Sequence, residues 1–87
     1  MPVLVTTTVP LDIGVYDQIV AQLGPGLLAA PGFRSHAGRA GDTGTFVVTE
    51  VWNSREEYQG FFDAHVAANL PPGVTTDISE LRNFLAA

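Results

Sequence analysis

The chain contains no cysteine and no lysine among its 87 residues. The lack of cysteine excludes disulfides, thiol nucleophiles and Cys-ligated zinc or iron–sulfur sites. The lack of lysine excludes a Schiff base on this chain. The four basic side chains are all arginines and stand against nine acidic ones, for a net charge of −5. Because nucleic-acid affinity comes largely from clustered Lys and Arg, we expect no nucleic-acid partner.

Long apolar runs are also missing. No run approaches the ~18–20 residues that span a bilayer, and the first residues lack the basic start and apolar stretch of a signal peptide. We therefore expect a cytoplasmic protein that makes no membrane contact. The hydrophobic share of 46%, with only 15% charged residues, is enough for a packed core. A chain this short is expected to form one domain, spanning residues 1–87.

A strand and a helix are predicted for the first third of the chain. Residues 3–9 alternate around Val3, Val5 and Val9, the pattern of a half-buried strand. Asp12 then suits the cap of a helix. Apolar residues follow at helical spacing: Tyr16, Ile19, Val20, Leu23 and Leu27. Gly24-Pro25-Gly26 should interrupt or kink this helix, because glycine and proline are poor in helix interiors, although residues 27–30 could continue it as a last turn.

Two strands joined by a glycine-rich loop form the middle of the chain. Residues 33–39 alternate in a way that places Phe33 and His36 on opposite faces of a strand. Residues 41–44 supply glycines with the backbone freedom that a hairpin loop needs. Residues 45–52 are apolar on both faces and carry the strongest strand signal of the sequence.

A second helix and a last strand complete the pattern. Ser54 and Glu57 have the S-x-x-E spacing of a capping box, which satisfies free backbone donors at a helix start. A stripe at spacings of three and four then covers one helix face: Tyr58, Phe61, Phe62, His65, Val66 and Asn69. Pro71 ends the helix, because the residue before proline is driven out of the α region. Residues 74–85 are predicted to form the last strand.

This order of elements, β-α-β-β-α-β, predicts an α+β fold of ferredoxin-like arrangement with an antiparallel sheet. Two helices cover one face of such a sheet and leave the other open. Either Phe46, Val48 and Trp52, or else Val47 and Val51, should lie on the open face. Both sets are apolar, so we expect a second copy of the chain to pack there as a homodimer.

The central motifs resemble those of the antibiotic biosynthesis monooxygenase family. The resemblance lies in Pro31-Gly32-Phe33, in the segment Thr45-Phe46-Val47-Val48-Thr49-Glu50-Val51-Trp52-Asn53-Ser54, and in Glu56-Glu57-Tyr58. It implies a dimeric α+β barrel, in which open sheets pair and each subunit keeps a pocket between sheet and helices. Some members oxidise aromatic polyketide quinols with oxygen and without a bound cofactor. Others degrade haem, act as isomerases or have no assigned activity, so the resemblance does not select a reaction.

Haem is not expected from this resemblance. Haem-degrading members use an asparagine on the first strand and a tryptophan and a histidine on the second helix. In this chain the first-strand position falls among the threonines at 6–8. The position of the tryptophan falls near Phe61, and that of the histidine falls near Leu70. We therefore expect no cofactor. Quinol-oxidising members often carry a histidine where this chain has Phe61, and His65 follows one helical turn later.

His65 and Glu50 are the candidate catalytic residues. The stripe of the second helix suggests that the His65 imidazole is partly buried, where it can act as a general base near neutral pH. Its alternative role is a core histidine bonded to the backbone or to Glu50. Glu50 must be paired or protonated if buried, and its alternative role is a dimer salt bridge with Arg34 or Arg82.

A substrate pocket is predicted around aromatic side chains. Trp52 and Tyr58 flank the turn between the third strand and the second helix, where flat rings stack on planar substrates. Simple core packing is their alternative role. The predicted pocket residues are Phe33, His36, Trp52, Tyr58, Phe61 and Phe62. No metal is expected, because His36 and His65 lack any spacing typical of metal sites.

Three functions remain open. The first is cofactor-independent oxygenation of a small, planar, hydrophobic compound, which needs a dry pocket, a base and orientation. The second is a ligand-binding or structural barrel without chemistry. The third is an isomerase or lyase that uses His65 and Glu50 for proton transfer. A cavity of ~300 Å³ or more that reaches His65 favours ligand handling, whereas close packing of Phe61, Phe62 and Trp52 favours a structural role.

Overall fold

The computed structural model describes residues 1–86, and these form a four-stranded sheet with two helices. The strands follow the order β2-β3-β1-β4 across the sheet, and all neighbours are antiparallel. The predicted α+β, β-α-β-β-α-β arrangement is therefore confirmed. The elements are β1 (Val3–Val9), α1 (Ile13–Leu28), β2 (Phe33–Ala40), β3 (Phe46–Trp52), α2 (Arg55–His65) and β4 (Thr75–Glu80), with a 3-10 turn at Ala67–Asn69.

Both helices begin at the predicted capping residues. The Asp12 carboxylate accepts a hydrogen bond of 2.9 Å from the Val15 backbone N–H. The Ser54 hydroxyl accepts one of 3.2 Å from the Glu57 backbone N–H and donates one of 2.9 Å to the Glu57 carboxylate. These side chains satisfy donors that the first helical turn leaves free. The capping box that the sequence predicts is thus present.

Helix α1 continues through Pro25 to Leu28, so Gly24-Pro25-Gly26 does not interrupt it and the last turn that the sequence allows is present. Proline lacks the N–H that would bond to the Ala21 carbonyl, so one helical hydrogen bond is lost. The loss falls in the last turn, and packing compensates for it, because Leu27 lies in the hydrophobic core only 9% exposed. Tertiary burial has overridden local propensity at this position.

The core lies between the helices and one face of the sheet. Trp52 is fully buried at its centre, next to Val3 and Val5 of β1. Leu27 from α1 and Tyr58 from α2 complete the buried cluster. The Trp52 ring meets the rings of Phe33, Tyr58 and Phe61 at centroid distances of 5.5, 5.9 and 5.7 Å. Aromatic packing therefore joins β2, β3 and α2.

The other face of the sheet carries the Val47 and Val51 set. Read across the strands, its rows are Arg39-Val47-Thr8-Thr75, Ala37-Thr49-Thr6-Asp77 and Ser35-Val51-Leu4-Ser79. Large apolar side chains hold only three of these positions, so the expectation of a predominantly apolar open face is wrong. Threonine and serine instead dominate it. We call this surface the open face.

The predicted last strand ends five residues early, at Glu80 instead of Leu85. β4 pairs with β1, and the final contact is a hydrogen bond of 2.8 Å from the Leu81 N–H to the Pro2 carbonyl. Pro2 has no N–H to return, so the ladder cannot continue beyond it. The Phe84 ring then lies 5.7 Å from the Arg34 guanidinium. Within residues 1–86, no helix is long and apolar enough to cross a bilayer.

Candidate active site

A cavity of about 500 Å³ lies between the two helices and the sheet. Its walls are mostly apolar, and its volume falls within the range of small-molecule sites. Five of the predicted pocket residues line it, together with Glu50: Phe33, His36, Tyr58, Phe61 and Phe62. Leu11, Tyr16, Ile19, Leu23 and Leu27 add the wall on the α1 side.

Four side chains form a hydrogen-bonded chain along this cavity. The Tyr16 hydroxyl lies 3.0 Å from His36 Nε2, and His36 Nδ1 lies 2.7 Å from Glu50 Oε2. The Trp52 indole N–H donates to Glu50 Oε1 at 2.9 Å. Both carboxylate oxygens of Glu50 therefore have partners within the same polypeptide, and His36 occupies the place at Glu50 that was considered for Arg34 or Arg82. We call these four hydrogen-bonded side chains the Tyr16–Trp52 network.

The hydrogen bond to Glu50 assigns the tautomer of His36. A carboxylate only accepts, so His36 Nδ1 carries the proton that it shares with Glu50. When the imidazole is neutral, Nε2 is the acceptor and the Tyr16 hydroxyl donates to it. The side chains of His36 and Glu50 are only 23% and 14% exposed. His36 is thus an oriented proton acceptor at the wall of an apolar cavity.

Tyr16 is held in place from three sides. Its ring stacks on Phe46, with centroids 4.4 Å apart and planes at 11°. Its hydroxyl bonds to His36, and its tip rests against the backbone of Gly38 so closely that a Cβ there would lie 2.7 Å from Cζ. Burial, with smaller contributions from the charges of Glu50 and Asp17, raises the pKa of the Tyr16 phenol.

A second tyrosine, Tyr58, reaches the cavity from α2 and is almost fully buried. Burial is again the main cause that raises the pKa of its phenol, followed by the charge of Glu50. Hydrogen bonds with Thr7 and Thr76 lower that pKa in part. Both tyrosines therefore stay neutral over a wider pH range than a free phenol. They offer hydroxyl groups, not negative charges, to the cavity.

His65 does not lie in this cavity. It is the last residue of α2 and is exposed, so the expectation of a partly buried imidazole is wrong. Its ring lies 4.8 Å from Phe61 and borders a separate groove beside the end of α1. Val66, the next residue, lines the cavity, so His65 lies outside it because of its position around the helix, on the side of Phe61 that borders the groove.

Trp52 also lies outside the cavity wall. It is fully buried in the core and acts on the site through its hydrogen bond to Glu50. His36 and His65 border different cavities. The side chains of residues 1–86 form no group of three or more His, Asp or Glu arranged to hold a metal ion.

Sequence reasoning did not identify Tyr16 as a site residue or His36 as the partner of Glu50. A β-bulge at Arg34 shifts the register between Phe33 and Ser35, so that Phe33 and His36 face the helices together. The hairpin register does predict that His36 lies beside Glu50. Counting outward from the Ala40–Phe46 pair beside the loop places His36 opposite Glu50.

Solved structures share this fold, although no protein-family model and no curated protein matches the chain. NE2512 of Nitrosomonas europaea, a protein of unknown function, is 15% identical with a TM-score of 0.76, over 99% of this chain and 94% of that one. SnoaB of Streptomyces nogalater, a cofactor-independent oxygenase, is 18% identical with a TM-score of 0.69, over 99% and 98%.

A third structure is a monooxygenase from the gene ActVA-Orf6 of Streptomyces coelicolor, in complex with nanaomycin D. It is 20% identical with a TM-score of 0.66, over 98% of this chain and 91% of that one. At these identities the likeness establishes the fold. The chain has the fold of antibiotic biosynthesis monooxygenase structures, as the sequence resemblance implies.

Proposed function

We propose that the chain oxygenates a small, planar, hydrophobic phenol or quinol in its cavity, without a bound cofactor. His36, oriented by Glu50, is the general base in this proposal. The single observation that carries it is a His–carboxylate pair at the wall of an apolar cavity of about 500 Å³. Glu50 fixes the tautomer of His36 and stabilises the imidazolium, as the carboxylate does in Ser-His-Asp triads.

The reaction requires one proton acceptor and a site from which bulk water is excluded. His36 takes the proton of the substrate hydroxyl, which gives an electron-rich phenolate. The phenolate transfers one electron to O₂, and the resulting radical and superoxide combine at a hydrogen-bearing ring carbon ortho or para to the oxygen. The peroxide regains the proton from His36, and loss of water with the ring hydrogen leaves a quinone. Apolar walls keep bulk water from these intermediates.

One observation supports ligand handling over a structural role, and another supports oxygenation among the ligand-handling functions. The cavity exceeds the ~300 Å³ expected of a ligand site, although it does not reach His65. Phe61 and Phe62 line it and do not fill it. Two proteins of the same fold are described as an oxygenase without cofactor and as a monooxygenase with a bound nanaomycin.

The chain offers a matched control for the base, because it contains only two histidines. We expect hydroquinones or anthrones to consume oxygen in the presence of the wild type, followed by absorbance and an oxygen electrode. His36→Gln should lower turnover by about 10²–10⁴-fold, the usual contribution of a general base. His65→Gln, outside the cavity, should retain activity.

The opposite ranking of the two variants would contradict His36 as the base and restore His65. Binding of the same compounds without oxygen uptake would identify a ligand-binding protein instead. Conversion of a substrate to an isomer, without oxygen uptake, would identify the proton-transfer enzyme. Each outcome is read in the same assay by absorbance and mass spectrometry.

We further propose that the chain acts as a single-domain, cytoplasmic homodimer that pairs through the open face. Arg39 lies at one edge of this face and Asp77 at the other. A two-fold axis along the strands brings each edge over the opposite edge of the partner, so that unlike charges approach. Sedimentation should give twice the chain mass, and Thr49→Arg at the centre of the face should shift it to a single chain. A single-chain particle in the wild type at micromolar concentration would refute the dimer.

A further inference from the structure

We infer that Tyr16 is a catalytic residue: its hydroxyl relays the proton from the substrate to His36 Nε2. This inference rests on the proposed function, in which His36 is the base. It adds a residue that neither the sequence patterns nor the fold assign to the reaction. The relay runs from the cavity, through the Tyr16 oxygen, to His36 and finally to Glu50.

The base has no free nitrogen. His36 Nδ1 is bonded to Glu50 at 2.7 Å, and Nε2 is bonded to the Tyr16 hydroxyl at 3.0 Å. A substrate hydroxyl must therefore displace Tyr16 or donate to the Tyr16 oxygen. That oxygen has two acceptor positions and uses its one proton on His36, so it can still accept.

Tyr16 is also difficult to displace. Its ring is stacked on Phe46, and its tip lies against the backbone of Gly38, which leaves no space for even one carbon atom. Moving the hydroxyl away from His36 would break the hydrogen bond and the stacking contact together. Tyr16 also lines the cavity, so its oxygen is within reach of a bound substrate.

The proton balance of the relay is complete. The substrate O–H bond breaks and its proton joins the Tyr16 oxygen, while the Tyr16 O–H bond breaks and its proton joins His36 Nε2. The tyrosine ends neutral, in keeping with the raised pKa of its buried phenol. The only new charges are the substrate phenolate and an imidazolium that faces Glu50. The reverse relay returns the proton to the peroxide.

The test uses Tyr16→Phe, which keeps the ring on Phe46 and removes the relaying oxygen. The probe is 4-nitrophenol, whose anion absorbs visible light, added without oxygen at a pH where the free probe is mostly protonated. We expect the wild type to bind and ionise it. Tyr16→Phe should bind it with similar affinity but ionise at least tenfold less, and its quinol turnover should fall about 10²-fold.

Gly38→Ala provides a second variant, because it keeps the tyrosine but forces its hydroxyl away from His36. Circular dichroism checks that both variants fold. Equal or greater probe ionisation in Tyr16→Phe would overturn the relay and show that substrate meets His36 directly. Failure of the wild type to bind or ionise the probe would overturn it as well. Probe ionisation that depends on Tyr16, in a protein that oxidises no quinol, would support the relay and refute the oxygenation.

Discussion

The contact between Gly38 and Tyr16 predicts the stability of a single variant, Gly38→Ala. A Cβ at position 38 would lie 2.7 Å from Tyr16 Cζ and closer still to the Tyr16 hydroxyl oxygen, whereas ordinary contact begins at 3.4 Å, so the ring must retreat by more than about 0.7 Å. A retreat of this size away from His36 would lengthen the hydrogen bond from 3.0 Å to more than about 3.7 Å, beyond hydrogen-bonding distance. The stacking on Phe46 would also loosen.

The magnitude follows from these losses. A lost hydrogen bond costs about 0.5–1.5 kcal/mol, and a weakened aromatic pair costs about as much. Alanine restricts the unfolded chain more than glycine does, which raises the free energy of unfolding by about 0.4–1 kcal/mol. Gly38→Ala should therefore destabilise the protein by about 1–2 kcal/mol. With a urea dependence of about 1 kcal/mol per molar for a small chain, the unfolding midpoint should fall by about 1–2 M.

Urea unfolding followed by circular dichroism measures this change. Gly60→Ala is the matched control, because that glycine lies inside α2 with open space around it and should gain about 0.5–1 kcal/mol. In a Tyr16→Leu background the cost of Gly38→Ala should nearly vanish, since the obstructing ring is gone. An unchanged cost in that background would refute the steric argument.

Two further outcomes test the turn and the buried phenols. Gly32 and Gly44 both have positive φ, 83° and 79°, but a Cβ at Gly32 would lie 2.6 Å from Glu57 Oε2, whereas one at Gly44 would meet nothing within 4 Å. Gly32→Ala should therefore lower the urea midpoint more than Gly44→Ala. Equal losses would show that the backbone angle φ alone determines the cost of the substitution. Because the folded pKa of Tyr58 is raised above 10.0, its stabilising contribution is full below about pH 10 and is lost as the pH rises through the folded pKa. Urea midpoints should fall above about pH 10, and less so in Tyr58→Phe; parallel declines would contradict this assignment.

The order of the elements was predictable because each carries its own local signal. Alternation marks β1, the capping box marks the start of α2, and the glycine loop marks the hairpin. The errors arose where contacts with a neighbouring element determine where a helix or strand ends. Pro25 stays helical because Leu27 is anchored in the core, and β4 stops at Glu80 because Pro2 on the adjacent strand has no N–H.

The candidate site was predictable as a list of side chains but not as an arrangement. Phe33, His36 and Glu50 were all identified, yet regular alternation separates Phe33 from His36. No residue type in this strand indicates a bulge, so a prediction from the alternation of polar and apolar residues does not detect it. The predicted stripe of α2 was also too wide, because His65 borders the separate groove while Val66 lines the cavity, and Tyr16 had no motif beyond the helical spacing of apolar residues.

The hairpin sets the orientation of His36, because this histidine lies on the loop side of the bulge at Arg34 and keeps its register opposite Glu50 from the Ala40–Phe46 pair onward. Deleting Arg34 would restore regular alternation and leave both Phe33 and His36 facing the helices. A one-residue insertion or deletion between His36 and the loop would instead turn the histidine to the opposite face, away from Glu50, with no replacement of the histidine itself. Comparisons of relatives by residue identity alone would overlook such a change, and gaps between this histidine and the loop should be inspected first.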